Sequence, residues 1–197
     1  MAVAGSNGTA KGTAKGSKSA GGGFEATAGG FSSQDAKDIA DWRAFSDDII
    51  YRNKIPASDD RKANLSAATS FGEYIAAKVP RRPEDIITVR SGGRLQAAAY
   101  VLPVAGSLEV RYLASAPWNI AKVPGDSRVV RGAGTAAIVA IIKESVKRGY
   151  GGKVELEAAK EAIGFYKKLG FKQDPNGYQL FKLSAEDADK LLKMHGG

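Results

Sequence analysis

Five residues near the middle of the chain, Arg131, Gly132, Ala133, Gly134 and Thr135, have the composition of an anion site. They stand directly before a run of good helix formers, Ala136 to Lys143. Glycines there let the backbone come close to a phosphate, and the free amides at the positive end of the following helix favour negative charge. Arg131 adds charge and Thr135 a hydroxyl. The pattern is a pyrophosphate cradle in physical terms, although a tight turn would place the same glycines there. Further on, Ala162-Ile163-Gly164-Phe165-Tyr166-Lys167-Lys168-Leu169-Gly170-Phe171 ends an apolar-faced helix with a tyrosine, a glycine stop and a phenylalanine. Tyr166 offers a phenolic proton at that point, or packing with one hydrogen bond. The chain has 0 cysteines, which excludes a disulfide framework, a thiolate zinc site and a Cys nucleophile. The single histidine, His195, stands by a Gly-Gly end and reads as a terminal residue with no ligand role. No metal site is expected.

Together the two motifs resemble those of the GNAT superfamily, the GCN5-related N-acetyltransferases, over residues 84 to 183. The family pattern Gln/Arg-x-x-Gly-x-Gly/Ala falls on Val129, Val130, Arg131, Gly132, Ala133 and Gly134, with a departure at Val129, which has no polar side chain. The frame Ala-x-x-Phe-Tyr-x-x-Leu-Gly-Phe is met at Ala162, Phe165, Tyr166, Leu169, Gly170 and Phe171. A second departure is Ala159, where many members carry an asparagine. The resemblance implies acetyl-CoA (coenzyme A) as cofactor, held by Val129 to Thr135, and Tyr166 as the acid that protonates the departing thiolate. It implies Glu109 as a base acting through water, with Glu155 and Glu157 as further candidates. It also implies that a main-chain amide near Ala114 and Ser115 binds the thioester carbonyl. Arg128 is a candidate to replace the polar group missing at Val129.

These residues need elements to hold them. Ser32 or Ser33 caps a helix whose Ile39, Trp42, Phe45, Ile49 and Ile50 recur at helical spacing, stopped by Pro56. A second helix starts near Ser58-Asp59-Asp60 and carries Leu65, Phe71, Tyr74 and Ile75, read as core, before Pro80 and Pro83. From Ile86 the period becomes extended: Ile86 to Arg90, a Ser91-Gly92-Gly93 turn, Leu95 to Val104, then Leu108 to Ala114. Alternation along the third strand puts Glu109, Arg111 and Leu113 on one face and Leu108, Val110, Tyr112 and Ala114 on the other. A loop from Pro117 to Val130 leads to a helix at Gly134 to Arg148. A strand at Lys153 to Glu157, a helix at Lys160 to Leu169 and a strand at Tyr178 to Leu183 complete the order. The expected fold class is α+β: a mixed, mostly antiparallel central sheet flanked by helices, in the GNAT order, with the family's first strand unplaced.

At 197 residues and 43% hydrophobic, the chain has room for one domain and a tail. Residues 1–31 read as a flexible Gly/Ala/Lys-rich arm containing the doubled unit Thr9-Ala10-Lys11-Gly12 and Thr13-Ala14-Lys15-Gly16, with Phe24 and Phe31 as apolar anchors for a short first strand. Residues 32–197 read as the catalytic domain. The net charge of +8 favours acidic partners such as a phosphorylated cofactor or nucleic acid. No run of roughly 18 apolar residues is present to span a membrane, so a cytoplasmic protein is expected. The function expected is transfer of an acetyl group from acetyl-CoA to an amine by direct attack in a ternary complex. The acceptor stays open among a protein, an aminoacyl-tRNA and a small amine, as does assembly as a homodimer or within something larger. Val129 and Ala159 keep a second reading open, a catalytically weak or inactive GNAT-like structural or interaction module in a larger assembly. A basic nucleic-acid-binding domain would need an aromatic-and-basic stripe, which is missing.

Overall fold

The computed structural model describes residues 12–14, 23–52, 60–78, 82–123, 125–177 and 179–195. Lys11, Lys15 and Lys18 of the expected arm, Pro56, Pro80 and Tyr178 lie outside the described residues.

Within the arm, Gly12–Ala14 (β1) and Phe24–Ala28 (β2) are strands. Of the two anchors expected for a short first strand, Phe24 is buried and begins β2, whereas Phe31 lies beyond its end. Helices Ser33–Tyr51 (α1) and Asp60–Lys78 (α2) follow. A capping box starts α1: the Asp35 amide donates to Ser32 Oγ at 3.2 Å and the Ser32 amide to Asp35 Oδ2 at 2.7 Å. Gly72 of α2 lies against Trp42 of α1, where an added Cβ would sit 3.0 Å from the indole, so glycine permits the close helix approach. Then come Ile86–Ser91 (β3), Arg94–Val104 (β4) and Ser107–Ser115 (β5).

The expected long loop contains a short helix, Pro117–Ala121 (α3), begun by a proline at its first position. Ala133–Lys147 (α4), Val154–Glu157 (β6), Ile163–Lys168 (α5), Lys172–Gln173 (β7), Leu180–Leu183 (β8) and Ala185–His195 (α6) complete the chain. Sequence reading missed β7 and α6, and His195 is the last residue of α6.

One sheet runs β1-β2-β3-β4-β5-β6-β8-β7. Every pairing is antiparallel except β5 with β6, which is parallel. One face packs Ile87, Ala99, Val101, Leu108 and Val110 against Ile138, Ile141 and Ile142 of α4 and against α6. The opposite face packs Ile86, Ala98, Tyr100 and Ala114 against Ile39, Trp42 and Ile75 of α1 and α2.

The simple alternation expected for β5 fails at a bulge. Tyr100 pairs with Tyr112 but Val101 pairs with Val110, so Arg111 is an extra residue. Leu108 and Val110 therefore face α4, whereas Tyr112 and Ala114 face α1 and α2. Period-two reasoning cannot register an inserted residue, which moves every later side chain to the other face. Phe71 and Tyr74, expected in the core, are each 38% exposed. Both lie against Tyr112, with ring centroids 5.3 Å and 4.3 Å from its ring.

Candidate active site

Registered pairing of β5 with β6 ends at Val110 with Leu156, yet β5 continues to Ser115. Past Glu157 the chain turns toward the other neighbour, where the Ala158 amide donates to the Gln179 carbonyl at 2.9 Å. The two parallel strands thus separate and leave an edge of β5 open. The Ala116 amide donates to the Gln96 carbonyl of β4 at 2.9 Å. Alternation of an antiparallel ladder then directs Ala114 and Tyr112 toward β4 and points the main-chain groups of Leu113 and Ser115 into the opening. Of the two residues expected near a thioester carbonyl, Ser115 has its main-chain groups directed into the opening and Ala114 does not. Leu113 is an addition.

The opening belongs to a cleft of about 430 Å³. The N-terminus of α4 closes one end of it through Ala133 and Gly134. Gly132, at φ 90°, is the N-cap and contributes no side-chain cap. The first main-chain bond of the helix runs from the Ala136 amide to the Gly132 carbonyl at 2.9 Å. The amides of Ala133, Gly134 and Thr135 consequently have no acceptor within the helix. An added Cβ on Gly134 would lie 3.3 Å from the Phe165 ring and 3.8 Å from Ser115 Oγ. This spot joins α4, α5 and the end of β5, and a side chain there would press on the Phe165 ring. Unsatisfied amides, the positive end of a helix and an open strand edge in one cleft fit an extended ligand with a phosphate at one end.

Tyr166 lines the same cleft. Its ring sits between Phe165 and Phe171, with centroids 5.1 Å and 5.6 Å away. Burial pushes its phenol up to about 12 because a phenolate loses solvation there. The cleft's lining includes one carboxylate, Glu161, on the one-turn helix Lys160–Ala162.

The sequence candidates divide by position. Ala114, Ser115, Val130, Ala133, Gly134 and Tyr166 share the cleft's lining. Val129, Arg131, Gly132 and Thr135 belong to the loop and helix start but do not line it. Val129 packs against the apolar cluster of Trp42 and Trp118, which accounts for an apolar residue where the family pattern has a polar one.

Glu109 is not brought to Tyr166. Neighbouring Leu108 and Val110 face α4, so Glu109 faces the other way, and it pairs with Arg111 at 3.1 Å. It stands six residues before Ser115, about 20 Å along the strand. Glu155, paired in register with Glu109, and Glu157 are likewise absent from the lining. Arg128 does not replace the polar group missing at Val129. Its Nη2 donates to Asp126 Oδ2 at 2.7 Å, and its guanidinium lies 4.6 Å from the centre of the Phe45 ring. That hydrogen bond holds the Asp126 carboxyl below its ordinary range.

Sequence reading missed the network that holds the loop before α4. Gln96 is the extra residue of a bulge in β4, because Arg90 pairs with Leu95 and Val89 with Ala97. Its Oε1 accepts from Trp118 Nε1 and from Asn119 Nδ2, both at 3.0 Å. Asn119 Oδ1 in turn accepts from the Val130 amide at 2.7 Å. The Pro117-Trp118-Asn119 start of α3 was the only trace of this in the sequence.

No protein-family model and no curated protein matches this sequence. Solved structures do match in fold. The PaiA N-acetyltransferase from Thermoplasma acidophilum, in complex with coenzyme A, aligns with TM-score 0.50 at 17% identity over 81% of this chain and 96% of that one. A protein from Desulfovibrio desulfuricans assigned to the GNAT family aligns with TM-score 0.50 at 12% identity over 82% of this chain and 98% of that one. Against a GCN5-related N-acetyltransferase from Kribbella flavida the TM-score is 0.42 at 18% identity, and the aligned part spans 76% of this chain and 33% of that one. Sheet order, the strand separation and the first two alignments agree: the chain has the fold of the GCN5-related N-acetyltransferase superfamily.

Proposed function

We propose that the chain is an acyl-coenzyme A-dependent N-acyltransferase that uses acetyl-CoA as donor and passes the acetyl group directly to a bound amine. The observation that carries this reading is the meeting of unsatisfied α4 amides, the open edge of β5 and Tyr166 in one cleft. The cofactor supplies an acetyl thioester.

The residues do the rest. Amides of Ala133, Gly134 and Thr135 would hold the pyrophosphate, and Arg131 would add charge at that end. The Ser115 and Leu113 main-chain groups would hold the donor's arm and its thioester carbonyl. Tyr166 holds a proton on its phenol for the departing thiolate. The amine reacts in its neutral form, which an apolar lining favours because burial disfavours the cation. A base at Glu109 is not part of this proposal, since that carboxylate faces away from the cleft; the Tyr166 oxygen, having given its proton to the thiolate, would take up the proton that the nitrogen loses, so the proton count closes.

Thermal melting with and without acetyl-CoA tests the donor site. Ligand at about 100 times its dissociation constant stabilises by roughly 2.7 kcal/mol, several degrees in a domain of this size. Gly134→Asp, which sets a side chain against Phe165 and a negative charge against the phosphates, abolishes the shift. An unshifted wild type would favour the interaction-module reading instead.

A further inference from the structure

The cleft crosses the sheet. On one side it is bounded by α4 and α5. On the other it is lined by Asn64, Ala67, Ala68 and Phe71 of α2 and by Ile120. Resting on the acyltransferase reading, the α2 side is where an acceptor enters, opposite the phosphate-binding end.

We infer that the acceptor is a primary amine carried on an aromatic group, whose ring lies along Phe71 and Tyr112. Among the described residues, the α2 side of the cleft is lined by no lysine, arginine, aspartate or glutamate. Glu161 and Tyr166, the lining side chains that ionise, both stand on the α5 side. Phe71 leads outward from the cleft to Tyr112 and then Tyr74, at centroid spacings of 5.3 Å and 4.3 Å. The exposure of Phe71 and Tyr74, 38% each, leaves ring surface open to a ligand. A planar apolar carrier gains contact along this strip, whereas a polycation finds among the described lining residues only Glu161, on the α5 side. The acidic hollow elsewhere in the molecule, lined by Asp38, Asp41, Asp48 and Asp126, shares no described residue with this cleft.

Initial rates of acetyl transfer to phenethylamine, butylamine, spermidine and Nα-acetyl-lysine test the assignment. kcat/KM for phenethylamine is expected to exceed that for each of the others by about tenfold, the range of one good ring contact. Phe71→Ala is expected to raise KM for phenethylamine about tenfold and erase its advantage over butylamine, while Phe71→Trp keeps it. A preference for spermidine or the lysine derivative, or an unchanged ratio in Phe71→Ala, overturns the inference. So does stabilisation by acetyl-CoA without acetylation of phenethylamine, which leaves the donor reading standing. If acetyl-CoA neither stabilises nor reacts, the acyltransferase reading fails. Saturation-transfer NMR then decides the aromatic strip separately: phenethylamine signals seen with wild type and lost with Phe71→Ala support it, and their absence in wild type refutes it.

Discussion

Tyr166 combines the chemistry proposed for the cleft with a measurable stability signature. Its phenol moves from an ordinary 10.0 to about 12 through burial alone, so at neutral pH it is a proton donor and not a phenolate. Because the folded-state value lies above the free one, the neutral phenol contributes stability that is complete below pH 10. That contribution is lost as pH rises from 10 to about 12, for a total of about 2–3 kcal/mol. Tyr166→Phe should therefore lower turnover, retain the acetyl-CoA melting shift and flatten the fall in stability across that alkaline window. Denaturant midpoints at pH 9 and pH 11.5 check this, and equal slopes in wild type and variant would deny the burial effect. The residue itself was legible because its motif is local: Ala162 to Phe171 fold as one short unit. Glu109 was not, because its direction depends on the Arg111 bulge and on pairing with β4, neither of which leaves a mark in the sequence of β5.

Among elements, the segment between β5 and α4 decides how firmly the proposed donor site is held. Its first turn is tied to Gln96, which the β4 bulge aims at Trp118 and Asn119, and Asn119 continues the tie to the Val130 amide. Asn119→Ala removes both of its bonds and leaves the Val130 amide without its acceptor, at a cost of about 1–3 kcal/mol. The expected result is a modestly lower melting temperature together with weaker acetyl-CoA binding. A variant with the melting loss but wild-type affinity would show that the tie is structural only. Helix and strand order was readable here from spacing, capping and glycine turns, as at Ser32 with Asp35 and at Gly92-Gly93. What was not read includes non-local features, two bulges and the parting of β5 from β6, and also three short or terminal elements: α3, in a segment whose polar residues look like loop, β7 and α6.

Across the whole molecule the cleft lies where two helical layers approach one sheet from opposite faces, so its width depends on both layers staying docked. Each layer is tied to the sheet side by an arginine, and the two ties differ in what remains when they are cut. Arg90 of β3 pairs with Asp35 and, at 2.5 Å, with Asp38, both buried on α1. Without it these carboxylates keep, among the described residues, neutral partners: Asp35 the Ser32 amide and hydroxyl, and Asp38 the Gln34 side chain and the Leu95 amide. Arg148, after α4, pairs with Asp85 and Glu144, both at 2.8 Å. Those two carboxylates retain a second cation each, Arg82 at 3.3 Å and Lys147 at 3.4 Å. Removing one partner of a buried pair is costly when it strands charge, about 3–5 kcal/mol. Arg90→Met should accordingly approach that full loss, and Arg148→Met should fall clearly below it, in urea denaturation at pH 7. The reverse order would mean that the α4 layer, not α1, depends more on its arginine. Equal small losses would mean that apolar packing alone holds α1 across the sheet.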